Sequence, residues 1–309
     1  MSAHRAWRIV GMVLLSLSVL ACGERRAEVD ATPQYSRQGK VDAPVYVLAI
    51  HPLHNPARLF EVYGPLVDHL NRQIPAHTFA LEASRNYEEF ERKLSLRQVA
   101  FALPNPYQTL KAMEHGYHVI AKMGDDAQFR GLLLVRRDAG ITQVSDLRGR
   151  KVAYPAATAL AATLLPQAFL HSQGLDVNRD IENLYVGSQE SSILNVYLGR
   201  VAAAATWTQP WQAFQKTHPA QANELVVQWE TAPLINNSVV ARDDVPAATA
   251  DQVAQELANL HTTSAGRALL AAMELTRFER ADDACYEVVR DFIDTFQRTV
   301  RPLSPESAP

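Results

Sequence analysis

From Val45 onward, short apolar runs alternate with longer stretches in which apolar residues recur at helical spacing. Val45 to Ile50 reads as a strand, and Ala57 to Gln73 as an amphipathic helix. Thr78 to Glu82 is strand-like, a helix starts at Tyr87, and Val99 to Leu103 is apolar again. Pro104-Asn105-Pro106 then breaks the chain before a short helix that ends near Gly116. A second series opens near Arg130 with the strand Gly131 to Arg136, a turn at Asp146 to Gly149, and the strand Lys151 to Tyr154. It continues with a helix Thr158 to Gln173 stopped by Gly174, a strand Leu184 to Val186, and a helix to Leu198 stopped by Gly199. Val201 to Thr206 and Leu225 to Trp229 are its last strands. Ser238 to Ala241 and helices at Gln252 to Leu260, Ala265 to Met273 and Tyr286 to Phe296 follow. Strands separated by helices predict parallel βαβ units. Two such series predict two lobes: residues 45–128 plus 236–309, and residues 129–235.

The pattern before Val45 is different. A basic start (Arg5, Arg8) leads into an apolar run, Ile9 to Ala21, that is too short to span a bilayer. Such a segment reads as a secretory signal over residues 1–21, and Val19-Leu20-Ala21-Cys22 resembles the bacterial lipobox. That resemblance implies cleavage before Cys22 and acylation of its thiol. Residues 22–44 are polar, with Pro33, Gly39 and Pro44 scattered through them, and read as a flexible tether. No aspartate follows Cys22, which favours the outer membrane, where there is one, on the periplasmic side of the envelope. Lipidation leaves Cys285 without an internal partner, so the fold relies on its core. Cys285 itself is expected to pack as a small apolar residue. Loss of Arg5 and Arg8 with the leader takes the formal net charge from -3 to about -5, a balance that gives no nucleic-acid surface.

The chain carries no Gly-x-Gly-x-x-Gly, no phosphate-binding loop ending in Gly-Lys-Ser/Thr, no His-Glu-x-x-His and no Gly-x-Ser-x-Gly. Nor does any nucleophile stand beside a positioned base, so no enzyme is expected. Polar residues gather instead where predicted strands end, the place where open parallel sheets hold ligands. They are His51 to Asn55, Asn105 to Tyr107, Thr158, Ser188 to Ser192, and Thr206 with Trp207.

Four strings sharpen this picture: Pro56-Ala57-Arg58-Leu59-Phe60 with Tyr63-Gly64-Pro65-Leu66; Phe101-Ala102-Leu103-Pro104-Asn105-Pro106-Tyr107; Asp146-Leu147-Arg148-Gly149; and Tyr185-Val186-Gly187-Ser188-Gln189-Glu190-Ser191-Ser192. Their order and spacing resemble the phosphate, phosphite and phosphonate type of ABC-transporter substrate-binding protein. The resemblance runs from about Val45 to Phe296. It implies an α/β, type II periplasmic-binding-protein fold: two α/β lobes joined by two crossing segments, with a small solute in the cleft between them. It further implies a monomer without cofactor or metal, working with an ABC permease of the inner membrane and tied to a membrane through Cys22.

Two strand-to-helix turns, at Tyr154 to Thr158 and at Gly187 to Gln189, place helix N-termini where an anion binds. Thr158 and Ser188 can each be an N-cap or a ligand donor. Tyr107, Thr158, Ser188 and Gln189 are the expected contacts, with Asn105 shaping its turn and His54 and Trp207 as further candidates. The chain departs from the family pattern at both turns. Ala157-Thr158-Ala159 replaces a hydroxyl-rich run, and Gln189 stands where a histidine is common, so compensation from Arg85, Arg130 or His54 is needed. Two alternatives stay open. The same cleft could serve a sensor with a membrane signalling partner, or Trp207, Trp211, Tyr107, Tyr154 and Tyr87 could box a cationic ligand. His51 with His54, and His115 with His118, have a spacing that suits a metal, but nothing completes either set.

Overall fold

The computed structural model describes residues 45–303. The leader, Cys22 and the tether lie outside the described residues. Along the first stretch run β1 (Val45–Ile50), α1 (Pro56–Gln73), β2 (Thr78–Glu82), α2 (Tyr87–Ser95), β3 (Phe101–Leu103), α3 (Pro106–Met113) and β4 (Tyr117–Met123). Next come β5 (Gly131–Arg136), β6 (Arg150–Tyr154), α4 (Leu165–Ser172), β7 (Ile181–Tyr185), α5 (Gln189–Tyr197) and β8 (Ala203–Trp207). They are followed by α6 (Thr208–Thr217), α7 (Pro219–Asn223) and β9 (Leu225–Glu230). The chain closes with β10 (Ser238–Arg242), α8 (Ala247–Asn259), α9 (Ser264–Ala272), β11 (Phe278–Arg280) and α10 (Glu287–Thr299).

These elements build two sheets, ordered β11-β4-β10-β3-β1-β2 and β7-β6-β8-β5-β9. The purely parallel arrangement expected from the strand-helix alternation holds only in part. β1 pairs parallel with β2 and β3, and β6 pairs parallel with β7 and β8. β10, β11, β5 and β9 pair antiparallel. The reason is connectivity: β4 leads out of the first sheet and β10 leads back in, so their directions oppose. β4 and β11 have no counterpart in the sequence reading, because β4 follows α3 after a tight turn and β11 is only three residues long.

Local chemistry explains where the helices start. Asn55, Asn86, Asn105 and Ser188 each accept a backbone N–H of the first turn, at Arg58, Glu89, Gln108 and Ser191. α1 turns Leu59, Val62, Tyr63, Leu66, Val67 and Leu70 inward, which is the spacing of one helical face. Gly174 and Gly199 end α4 and α5 at positive φ, +81° and +66°. Cys285 is exposed, contrary to its expected packing. Asp282 caps the turn that carries it, and the neighbouring Tyr286 takes the buried position.

The helix expected from Thr158 begins later and irregularly. Leu160–Leu164 forms a π-type turn, in which Leu164 N–H and Leu165 N–H reach back five residues to the Ala159 and Leu160 carbonyls. Gly131 at the start of β5 makes room for this turn, since a Cβ there would lie 2.6 Å from the Ala161 carbonyl oxygen and 2.7 Å from the Pro166 ring. Gly131→Ala is therefore expected to cost about 1 to 3 kcal/mol through overpacking. The readout is a fall in Tm of roughly 2 to 10 °C; an unchanged Tm would show that the turn yields freely.

Candidate ligand cleft between the sheets

The deep end of the cleft is closed by residues from both sheets. His51, Tyr87, Asn105 and Asn237 come from one side, Ala159 to Ala162 with Gln189 and Trp207 from the other, and Phe129 from the segment that crosses between them. The space they leave is about 10 Å³. Gln189 spans it, with its Nε2 donating to the Tyr87 hydroxyl at 3.3 Å and its Oε1 accepting from Thr206 Oγ1 at 3.0 Å. Phe129 and Trp207 meet edge to face with centroids 5.1 Å apart.

The charge state of this end is neutral. His51 is buried, and its Nδ1 lies 2.9 Å from the Leu103 carbonyl oxygen. Burial lowers its pKa to about 4, against a smaller opposing effect of that hydrogen bond. His54 falls to about 4 as well, through burial first and then the charges of Arg58 and His51. Tyr87 is pushed up by burial. What positive potential exists comes from backbone: the N–H groups of Leu160, Ala161 and Ala162 precede the first intrahelical bond, Thr163 N–H to Ala159 O at 2.8 Å. Asn237 is fully buried, and its Oδ1 has no partner among the described residues.

A second set of bonds joins the sheets beside the deep end. Thr158 Oγ1 donates to Glu91 Oε1 at 2.6 Å, and the same oxygen accepts from Gln108 Nε2 at 3.0 Å. Burial raises the Glu91 pKa, and the two hydrogen bonds act against the rise. Asn105 Nδ2 donates to the Thr158 carbonyl at 3.3 Å, and Arg301 Nη2 to the Ala157 carbonyl at 2.8 Å. At the opposite end the cleft opens into a crevice of about 330 Å³ between α1 and the pair α5 and α6. There Asn55 Nδ2 donates to Glu190 Oε2 at 3.1 Å.

Of the residues expected to touch a ligand, the structure brings Asn105, Gln189 and Trp207 to the deep end and His54 to the outer crevice. Thr158 is no cap; its hydroxyl belongs to Glu91. Ser188 is a cap, accepting Ser191 N–H at 3.1 Å. Tyr107 lies in the core of the first sheet, with its pKa pushed up to about 12 by burial first and then by Glu91 and Glu114. Arg85 pairs with Glu89 and is 88% exposed, and Arg130 pairs with Glu230, so neither lines the deep end. The aromatic residues do not assemble as one box. Trp207 meets Phe129 and Tyr87 meets His51 at the deep end, whereas Trp211 stacks on Phe214 and Tyr154 packs against Tyr185. Among the described residues no group of three or more His, Cys, Asp or Glu side chains could hold a metal ion. Sequence reasoning missed Glu91, Phe129 and Asn237. For the last, the buried amide pair Asn236-Asn237 ahead of an apolar strand was the available signal.

A sequence model of the family described as "ABC transporter, phosphonate, periplasmic substrate-binding protein" matches residues 48–286. The chain belongs to this family. It is therefore a substrate-binding protein of the periplasm rather than an enzyme, and it has the type II periplasmic-binding-protein fold. No curated protein matches it by sequence. Solved structures share its fold. The binding-protein component of a phosphonate ABC transporter from Pseudomonas aeruginosa superposes with a TM-score of 0.77 at 17% identity, covering 84% of this chain and 88% of that one. PhnD1 of Prochlorococcus marinus, solved with methylphosphonate, gives 0.75 at 17%, covering 82% and 98%. The aliphatic sulphonate-binding protein SsuA of Escherichia coli gives 0.54 at 15%, covering 82% and 85%.

The two buried imidazoles make stability depend on pH. Their folded pKa values near 4 lie below the ordinary 6.5, so as pH falls the unfolded chain takes up protons first. Stability is complete above about pH 6.5 and is lost towards pH 4, at up to roughly 1.4 kcal/mol per pH unit for each ring. Tm is expected to fall steadily over that window, and less steeply for His51→Gln. Equal slopes for the two proteins would show that His51 is not the group responsible.

Proposed function

We propose that this protein is a lipid-anchored member of its family that captures a small phosphorus oxyanion of the phosphonate, phosphite or phosphate type and delivers it to an ABC permease. The observation that carries this reading is the convergence of backbone N–H groups at Leu160 to Ala162, without partners among the described residues, with the side-chain amide N–H groups of Asn105 and Gln189 in one neutral, buried end of a cleft. Such a site holds an anion by dipoles and hydrogen bonds rather than by a countercharge. Residues 45–128 plus 236–309 form one lobe in this reading and residues 129–235 the other. The segments 124–130 and 231–237 are the hinge.

About 10 Å³ is room for one water. Entry of a tetrahedral anion therefore requires the lobes to swing apart, breaking the Thr158–Glu91, Asn105–Thr158 and Asn55–Glu190 contacts, each worth about 1 kcal/mol net. Closure around the solute re-forms them, and the permease reads the closed state. The solute shifts that population through its differential affinity.

A thermal-shift series on the full chain in detergent tests the ligand class, using phosphate, phosphite, methylphosphonate, sulphonates and quaternary amines. A phosphorus oxyanion near one hundred times its Kd is expected to add about 2.7 kcal/mol and to raise Tm by several degrees. Asn105→Ala and Gln189→Ala should reduce the shift. A response confined to quaternary amines, or to none of the panel, removes the oxyanion reading. The anchor has its own test: Cys22→Ser should move the protein from the membrane fraction to the soluble fraction of the envelope, and an unchanged distribution would rule lipidation out.

A further inference from the structure

We propose that the outer crevice is a subsite for a hydrocarbon substituent on the solute, so that the chain selects phosphonates bearing an apolar or aromatic group over inorganic phosphate, phosphite and methylphosphonate. The inference rests on the oxyanion reading above and adds the identity of the group attached to phosphorus. Three observations support it. The first is size: the crevice holds about 330 Å³, within the range of small-molecule pockets, whereas the deep end holds about 10 Å³. A solute that only needed the deep end would leave this larger space unused.

The second is continuity. Gln189 lines both spaces, and His51 at the deep end is close enough to His54 in the crevice for their charges to interact. A group attached to an anion held at Leu160 to Ala162 thus passes Gln189 into the crevice. Both sides of the cleft contribute walls, with Leu53 and Ala57 on one and Ile193, Pro210, Ala213 and Phe214 on the other. The space is therefore completed when both lobes close on the solute.

The third is chemistry. The six residues just named are apolar, and Phe214 is extended by His218, whose ring stacks on it at 4.6 Å and 12°. The charged groups at the rim already have partners: Arg58 Nη1 bonds Glu61 at 3.0 Å, and Glu190 accepts from Asn55. His54 is neutral at physiological pH because burial holds its pKa near 4. The apolar part of this mixed lining thus suits an alkyl or phenyl group, while His54, Asn55, Arg58, Glu61, Glu190 and Thr217 keep the rest of the crevice polar.

Calorimetric titration of the full chain in detergent with methylphosphonate, phenylphosphonate and 2-aminoethylphosphonate tests the subsite. Phenylphosphonate is expected to bind at least about tenfold more tightly than methylphosphonate, the gain from burying roughly two methylene equivalents. Ala213→Trp, at a half-buried position on α6, should fill the crevice and abolish that gain while leaving methylphosphonate affinity unchanged; Thr217→Trp on the same helix serves as a second filling variant. Equal affinity for the two phosphonates, or a phenyl preference that survives both variants, overturns the subsite but leaves the oxyanion reading standing. A preference for the aminoethyl compound that disappears in Glu190→Gln overturns it in favour of a cationic group. Binding of none of the three compounds overturns the subsite, and the phosphate and phosphite arms of the thermal-shift series then decide the oxyanion reading.

Discussion

Lys122, at the end of β4, has a nearly buried ammonium group, and the geometry of the cleft depends on how that charge is held. Its Nζ bonds both oxygens of Asp126, at 2.9 and 3.0 Å, and Glu279 of β11 at 2.8 Å. Burial alone would lower its pKa, but Glu279 and Asp126 reverse the shift and leave it raised. Asp126 lies in the segment leaving the first sheet, and its Oδ1 also accepts Asn236 N–H from the segment returning to it. Asn236 Nδ2 then donates to the Gly124 carbonyl, and the Tyr286 hydroxyl to the Asn236 carbonyl. One nearly buried cation therefore ties together the two segments that join the sheets, 124–130 and 231–237. Removing one partner of a nearly buried charge is costly, so this network holds the two crossing segments together.

Away from the crossing segments the sheets are linked by polar contacts, among them the ion pair of Lys216 with both oxygens of Glu274, at 2.8 and 2.7 Å. The bonds that close the cleft, from Gln189 to Tyr87, Thr158 to Glu91 and Asn55 to Glu190, are single hydrogen bonds between elements distant in sequence. Single hydrogen bonds of this kind can part and re-form, as the proposed opening and closing requires. The same requirement accounts for the neutral interior. A fixed cation in the deep end would need a partner whenever the cleft closed on itself, whereas amide and backbone dipoles do not.

The elements of the fold were largely legible in the sequence, because their signals are local. Asn55, Asn105 and Ser188 stand directly before the helices they cap, Gly174 and Gly199 mark ends, and apolar periodicity separates strand from helix. The candidate site was legible in part. Asn105, Gln189, His54 and Trp207 sit at element ends, where sequence reasoning looks first, and all four reach the cleft. Thr158 was found but its role was not. Glu91, in the middle of α2, gives no local sign that it will meet Thr158, 67 residues away.

The sequence by itself thus determined most of the elements and their order, with β4 and β11 excepted, the two-sheet class and the family, since these follow from short-range patterning and from strings of adjacent residues. Only the tertiary structure decided strand direction, the π-type turn that brings the Leu160 to Ala162 amides to the cleft, and the separation of a small neutral end from a larger crevice of mixed lining. Those properties depend on pairs such as Tyr87 with Gln189, 102 positions apart. Which distant residues meet is set by how the two sheets pack about Lys122 and the crossing strands, and no window along the chain contains that information.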